Sequence, residues 1–195
     1  MLDDPYPTVK PGPPRPSQII QPAQFSMPRG MERYVVQGAG AVLIPVETGD
    51  CLTVINDEGG QVCEIVSADD KGRVNDSILD RPADAPAEGL RTVLADSDQS
   101  LRGLRMGLEA RKIDLSSAKA TRLFGLDTHA KAEEAMRVFR DGTLIIAAPG
   151  GAMDAEAQNT VTPLTVMIQR ATLKSHRKFE LPAPLAAPVA DIRVH

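Results

Sequence analysis

Residues 46–70 read VETGDCLTVINDEGGQVCEIVSADD, and this stretch decides the fold class. Two apolar and β-branched runs, 51–56 and 61–67, flank Asp57-Glu58-Gly59-Gly60. Paired glycines between such runs predict a β-hairpin. With the turn centred on Glu58 and Gly59, Val54 faces Cys63 and Leu52 faces Ile65, so one side of the hairpin is wholly apolar. The other side carries the mixed set Thr53, Glu64, Ile55 and Val62. Cys51 falls on the mixed side and Cys63 on the apolar one. The thiols then point to opposite sides of the sheet and can neither bridge nor share a metal.

Upstream, Tyr34-Val35-Val36 predicts a short strand, Gly38-Ala39-Gly40 a turn, and residues 41–46 a second apolar strand closed by Glu47-Thr48-Gly49-Asp50. Downstream, residues 68–98 are polar and irregular, with one short strand expected at 92–94. Leu101, Leu104 and Leu108 have helical spacing, interrupted by Gly103 and Gly107. The clearest helix is expected at 129–140, where Ala132, Ala135, Met136 and Phe139 repeat at i, i+3, i+4, i+7. Asp127 or Thr128 can cap its start, and Gly142 stands where a left-handed C-terminal cap belongs. Strands at 143–148 and 161–170 follow, with a turn at Pro149-Gly150-Gly151 between them. The expected fold is α+β and β-rich: a mostly antiparallel sheet with one or two helices.

Three segments are expected along the 195 residues. Residues 1–30 hold eight of the sixteen prolines; proline lacks a backbone donor, so these residues read as an extended arm rather than sheet or helix. Ile19, Ile20, Phe25 and Met27 give the second half of that arm an apolar docking surface. Residues 31–180 form the β-rich domain. Residues 181–195 read as a Pro/Ala linker, and a linker with so little after it implies a piece of a longer chain.

Composition removes several function classes. Aromatics are 3% and Trp is absent, which disfavours the base-stacking platforms of single-strand nucleic-acid binders. A net charge of −4 and a pI of about 5.4, with no basic stripe, make a phosphate backbone a poor partner. No apolar run approaches the roughly 18 residues a membrane span needs. The acidic, Pro-rich start MLDDPYPTVK lacks a secretory pattern, and two Cys make no disulfide framework. A soluble, cytoplasmic protein is expected.

No complete catalytic or metal motif is legible. Gly38-Ala39-Gly40 lacks the third glycine and the helix of a dinucleotide fingerprint. Pro149-Gly150-Gly151 is not followed by a P-loop lysine. His129, His176 and His195 have no Cys, Asp or Glu at ligand spacing. Asp57, Glu58, Asp69 and Asp70 cluster around one predicted hairpin and could bind a divalent cation or act as acid and base; charged loops are also ordinary surface.

Residues 46–70 resemble the urea-carboxylase-associated family, on the turn Asp57-Glu58-Gly59-Gly60-Gln61 and the loop Ala68-Asp69-Asp70. That family carries Asp-Phe and a metal-binding Cys on the strand after the Gln. This chain has Glu64-Ile65-Val66-Ser67 there, and the family's later G-R-H-D motif is absent. The zinc site of the family therefore transfers to no residue here, and Cys63, which falls a couple of positions early, does not replace it. The order of arm, degenerate domain and linker resembles the amino-terminal part of the trimethylamine N-oxide demethylase family. The resemblance implies a degenerate first domain, an intact zinc-binding copy after it and a tetrahydrofolate-binding, aminomethyltransferase-like domain last. It implies a lyase that gives dimethylamine and formaldehyde, uses zinc with or without iron, and assembles as a homo-oligomer. This stretch is then a supporting domain. Asp57, Glu58 and Gln61 are its candidate substrate-binding residues, because a Gly-rich turn lets backbone approach a partner closely. A free-standing small-molecule-binding or assembly module is the alternative, and a carboxylate-bound metal hydrolase on Asp57, Asp69 and Asp70 a third reading.

Overall fold

A computed structural model of the chain describes residues 27–96, 98–150 and 161–172. The arm up to residue 26, the linker at 181–195, His176 and His195 lie outside the described residues. The strands are β1 (Met31–Val36), β2 (Gly40–Val46), β3 (Cys51–Asn56), β4 (Cys63–Ala68), β5 (Ala85–Pro86), β6 (Lys119–Leu123), β7 (Ala132–Arg137), β8 (Gly142–Ala148) and β9 (Leu164–Gln169). Two short helices, α1 (Glu88–Ala95) and α2 (Arg102–Ala110), accompany them. The fold is β-rich, as the apolar runs require.

The strands form two antiparallel sheets. One has the order β1-β9-β3-β7 and the other β2-β8-β4-β6-β5. They stack face to face: Leu52, Val54, Val166 and Ile168 from the first sheet share one core with Ile44, Cys63, Ile65 and Ile146 from the second. The far face of the second sheet is buried as well. There Val66, Ala68, Ile145 and Ala147 pack with Leu90 of α1, Leu108 of α2 and the following Ile113 and Leu115. This third layer explains why every residue of β4 is buried, whereas β3 alternates. A strand covered on both faces reads as a continuous apolar run, and one covered on a single face reads with period two. Each aliphatic side chain buried there contributes about 1.5–3 kcal/mol, so α1 and α2 are held by packing rather than by their own short length.

Four sequence expectations are corrected. The helix at 129–140 is strand β7. Lys131 has a φ of +63°, which ends any helix there, and Met136 and Val138 point inward with period two while Phe139 is 57% exposed. Ala, Glu and Met favour helix, but pairing with β3 overrides that preference. Gly142 opens β8 rather than capping a helix; a Cβ there would lie 2.6 Å from the Ala68 carbonyl oxygen. The strand at 92–94 is α1, whose Leu90 and Val93 are buried at helical spacing.

The predicted hairpin does not form. β3 pairs with β7 and β9, and β4 pairs with β6 and β8. The Gly-rich loop is a crossover between sheets. Leu52, Val54, Cys63 and Ile65 do share one apolar region, but across the sandwich and not side by side. Cys51 and Cys63 accordingly belong to different sheets. The spacing of Leu101, Leu104 and Leu108 does correspond to a helix, α2.

Candidate functional site

The crossover loop that holds Asp57, Glu58 and Gln61 is built by Asn56. This side chain is fully buried; its Nδ2 donates to the Gln61 carbonyl at 2.8 Å and its Oδ1 accepts from the Gly59 N–H at 3.0 Å. Gly59 and Gly60 both take positive φ, +82° and +67°. The loop docks on residues 125–131: the Gly60 N–H donates to the Thr128 carbonyl at 2.8 Å, and the Lys131 N–H to the Asn56 carbonyl at 2.8 Å. Thr162 Oγ1 donates to the Gly59 carbonyl from the other side at 3.3 Å.

The three predicted binding residues do not converge. Gln61 is buried, and its Nε2 donates to the Val62 carbonyl at 3.0 Å. Asp57 accepts from Thr165 Oγ1 at 2.6 Å, on the outer face of the first sheet. Glu58 is exposed at the tip. Nor do the carboxylates Asp57, Asp69 and Asp70 meet. The first lies beyond one end of β4 and the others beyond its opposite end, so the strand separates them by roughly 17 Å. Asp69 is instead held by Arg73, whose guanidinium and backbone N–H lower its pKa, with help from the Lys71 N–H. Among the described residues no three His, Cys, Asp or Glu side chains are placed to hold a metal ion. His129 is exposed in the turn before β7.

Charged residues that sequence reasoning did not single out do structural work. Glu64, 5% exposed, accepts from the Leu90 N–H at 2.7 Å and the Gly89 N–H at 3.2 Å. Its carboxylate thus caps α1, which has no side-chain cap of its own at Ala87. A lone Glu inside the apolar run 62–68 was the available signal. Arg170 is the second such group. It meets Glu32 with two parallel bonds, Nη2 to Oε2 at 2.6 Å and Nε to Oε1 at 2.9 Å, and its Nη1 donates to Asp50 Oδ2 at 2.8 Å and to the Pro45 carbonyl at 2.9 Å. Hydrogen bonding to Glu32 and Asp50 raises its pKa against the opposing effect of burial.

Burial raises the Cys63 thiol pKa far above its ordinary value, and the neighbouring Glu64 adds to the rise. Both cysteines are free, with Cys51 exposed. A thiol that folding holds protonated favours the native state below its unfolded pKa of about 8.5, and that stability is lost as pH rises from there toward the folded pKa. The native chain is therefore expected to lose about 1.2 kcal/mol between pH 9 and pH 10 relative to a Cys63→Ala variant. Urea unfolding of both proteins at the two pH values checks this; parallel pH dependence in the two would count against a protonated, buried thiol.

No protein-family model matches this chain. It is 56% identical over all 195 residues to the trimethylamine-oxide aldolase of Ruegeria pomeroyi. The whole chain matches one quarter of a trimethylamine-oxide aldolase. It spans 25% of the length of that aldolase, so three quarters of such a protein lie outside the match. A DUF1989 family protein of known structure from Silicibacter pomeroyi is 12% identical, with 80% of this chain and 83% of that one covered at a TM-score of 0.44. Among the described residues no helix is long and apolar enough to cross a membrane.

The donor set here does not fit the zinc implied by the family resemblance. Cys63 is sealed in the core as a thiol, and metal ligation needs an accessible thiolate. Cys51 stands on the opposite face of the sandwich's first sheet with Arg137 and Gln169 as strand neighbours.

Proposed function

We propose that this chain acts as the amino-terminal, supporting domain of a trimethylamine-oxide aldolase, a lyase that converts trimethylamine N-oxide to dimethylamine and formaldehyde. The observation that carries the reading is the 56% identity over the full 195 residues to one quarter of such an aldolase. A supporting role accords with the geometry: Asn56 and Gln61 brace the crossover loop, and Glu64 and Arg170 tie elements together. In this reading the zinc, with or without iron, the tetrahydrofolate and the amine-oxide pocket belong to the remaining three quarters, and the assembly is a cytoplasmic homo-oligomer. Asp57 and Glu58, exposed at the crossover loop, are the residues this domain offers to a neighbouring pocket; Gln61 serves the loop itself.

Formaldehyde release from trimethylamine N-oxide tests the proposal. The chain alone, supplied with zinc and ferrous iron, is expected to release none above a no-protein control. The same chain joined to the remaining three quarters of an aldolase is expected to turn over. Release by the isolated chain would overturn the supporting role, and inactivity of the joined protein would overturn the assignment to the aldolase.

A further inference from the structure

The sandwich covers one of its two outer faces with its own helices and leaves the other. α1 and α2 pack on the second sheet, whereas no helix or strand of the described residues lies over the outer face of the first. The registers put Met31, Val35, Cys51, Ile55, Ala135 and Met167 on that face. Val35 is 45% exposed, and Cys51 and Ala135 are exposed beside the partly buried Met31, Ile55 and Met167. Polar groups cross the face at one end: Arg33 Nη2 donates to Thr165 Oγ1 at 3.4 Å, and that hydroxyl donates to Asp57 Oδ2 at 2.6 Å. A sheet face left to solvent ordinarily alternates to polar residues, so the apolar part of this surface calls for a cover.

We propose that this face docks on the remaining three quarters of the aldolase polypeptide, an inference that rests on reading this chain as one domain of such a protein. Length is the first argument. The chain matches an aldolase along its whole extent but spans only 25% of it, so the larger part of that polypeptide is tethered to this quarter. Size and composition are the second. Four strands, about 4.8 Å apart and about 17 Å long, present roughly 300 Å² in plan. A stable interface between separate molecules uses roughly 800 Å² per partner. Contacts between domains of one chain begin near 600 Å² in total, about 300 Å² on each side, and are more polar. The area of this face and its line of Arg33, Thr165 and Asp57 both fit the second kind. A tethered partner also needs less contact, because the tether sets its effective concentration.

Docking here also gives the crossover loop its place. Asp57 is bonded to Thr165 of this face, and the exposed Glu58 follows it at the loop tip. Both carboxylates therefore stand at the margin of the docked surface, where a body seated on the sheet meets them. The Gly60 and Lys131 N–H bonds that seat the loop keep that margin in place. The chemistry that fits the face is an aliphatic centre against Met31, Val35, Ile55 and Met167, with a carboxylate opposite the exposed Arg33 and a cation opposite Asp57 and Glu58.

Cys51 reports on the cover, since it is exposed on this face and Cys63 is sealed in the core. The experiment compares the alkylation rate of Cys51, read by peptide mass spectrometry, in the 195-residue chain and in the same chain joined to the remaining three quarters of an aldolase. With an effective concentration of about 1 mM and a face affinity of about 0.1 mM, Cys51 of the joined protein is expected to react about tenfold more slowly. Val35→Glu within the joined protein should restore the faster rate, a comparison that does not need the isolated chain. Absence of label on Cys63 shows that each protein is folded. In the joined protein, p-benzoylphenylalanine in place of Arg33 then names the occupant: on irradiation it should link to a peptide from outside these 195 residues. Equal Cys51 rates in the isolated, joined and Val35→Glu proteins overturn the proposal. A link into residues 1–30 also overturns it and assigns the cover to the arm, and a link into residues 31–195 of a second copy assigns it to that copy. Formaldehyde release is read separately on the joined protein. Protection without turnover keeps the docked face and removes the aldolase assignment, and turnover without protection does the reverse.

Discussion

Arg170→Met will lower the stability of the chain by about 3 kcal/mol, the cost of removing one partner from a buried ion pair. The reason lies in Asp50, which is 1% exposed. Its Oδ1 accepts from the Ala171 N–H at 2.9 Å and its Oδ2 from the Glu47 N–H at 3.0 Å. These bonds orient the carboxylate but leave Arg170 as the ion-pair partner seen for it, at 2.8 Å. Without the guanidinium the negative charge stays out of water among neutral donors. Glu32 has an exposed carboxylate by comparison, at 35%, so its own pairing with Arg170 is worth much less. Glu32→Gln should therefore cost under about 1 kcal/mol. Arg170→Lys should recover little, because one ammonium cannot reach Glu32, Asp50 and the Pro45 carbonyl from the directions a planar fork provides. Urea midpoints for the three variants test the ranking. If Arg170→Met and Glu32→Gln cost the same, the network is a surface feature and Asp50 is not its centre. The same clasp holds the corner at which β1 begins and β9 ends, so its loss should also loosen the turn that starts at Pro28.

What was legible in the sequence follows from which information is local. β3 and β8 were read nearly to their ends because β-branched and aliphatic runs bounded by glycines depend on nothing distant. The number of sheets was not legible. The register that pairs Val54 with Cys63 is chemically satisfactory, and only the partners waiting elsewhere in the chain, β7 and β9 for β3, β6 and β8 for β4, decide against it. β7 failed for a related reason. Residues 132–137, AEEAMR, carry helix formers, and their strand character comes from β3 alongside rather than from the segment itself. At the candidate site, the loop's importance was legible in Gly59-Gly60, but its role was not. The signal that would have separated bracing from binding is Asn56, a polar residue closing an apolar strand, whose side chain bonds both Gly59 and Gln61. Glu64 stood out as a charge in a buried run, but its partner, the start of α1, lies 25 residues downstream at Gly89.

Gly59→Ala should cost about 3 kcal/mol, whereas Gly60→Ala next to it should cost about 1 kcal/mol. Both glycines have positive φ, so each alanine bears the strain of a left-handed backbone, about 1 kcal/mol. The difference is contact. A Cβ on Gly59 would lie 2.7 Å from the Thr128 carbonyl oxygen and 2.8 Å from the Ala130 nitrogen. Those are backbone atoms of the docked 125–131 loop, which cannot step aside as a flexible side chain would. A Cβ on Gly60 meets nothing nearer than the Leu126 carbonyl oxygen at 3.7 Å, an ordinary contact. The loops must therefore separate in the Gly59 variant, weakening the bonds from Gly60 to Thr128 and from Lys131 to Asn56 as well. Urea unfolding of the two variants measures the gap, and hydrogen exchange at the Gly60 and Lys131 amides should rise in Gly59→Ala alone. Equal costs would mean that the two loops are not pressed together. Asp57 and Glu58 would then sit on a loose tip, unsuited to face a neighbouring pocket at a fixed distance. A large gap means instead that the chain spends its glycine on seating this loop, and the paired carboxylates are presented from a rigid support.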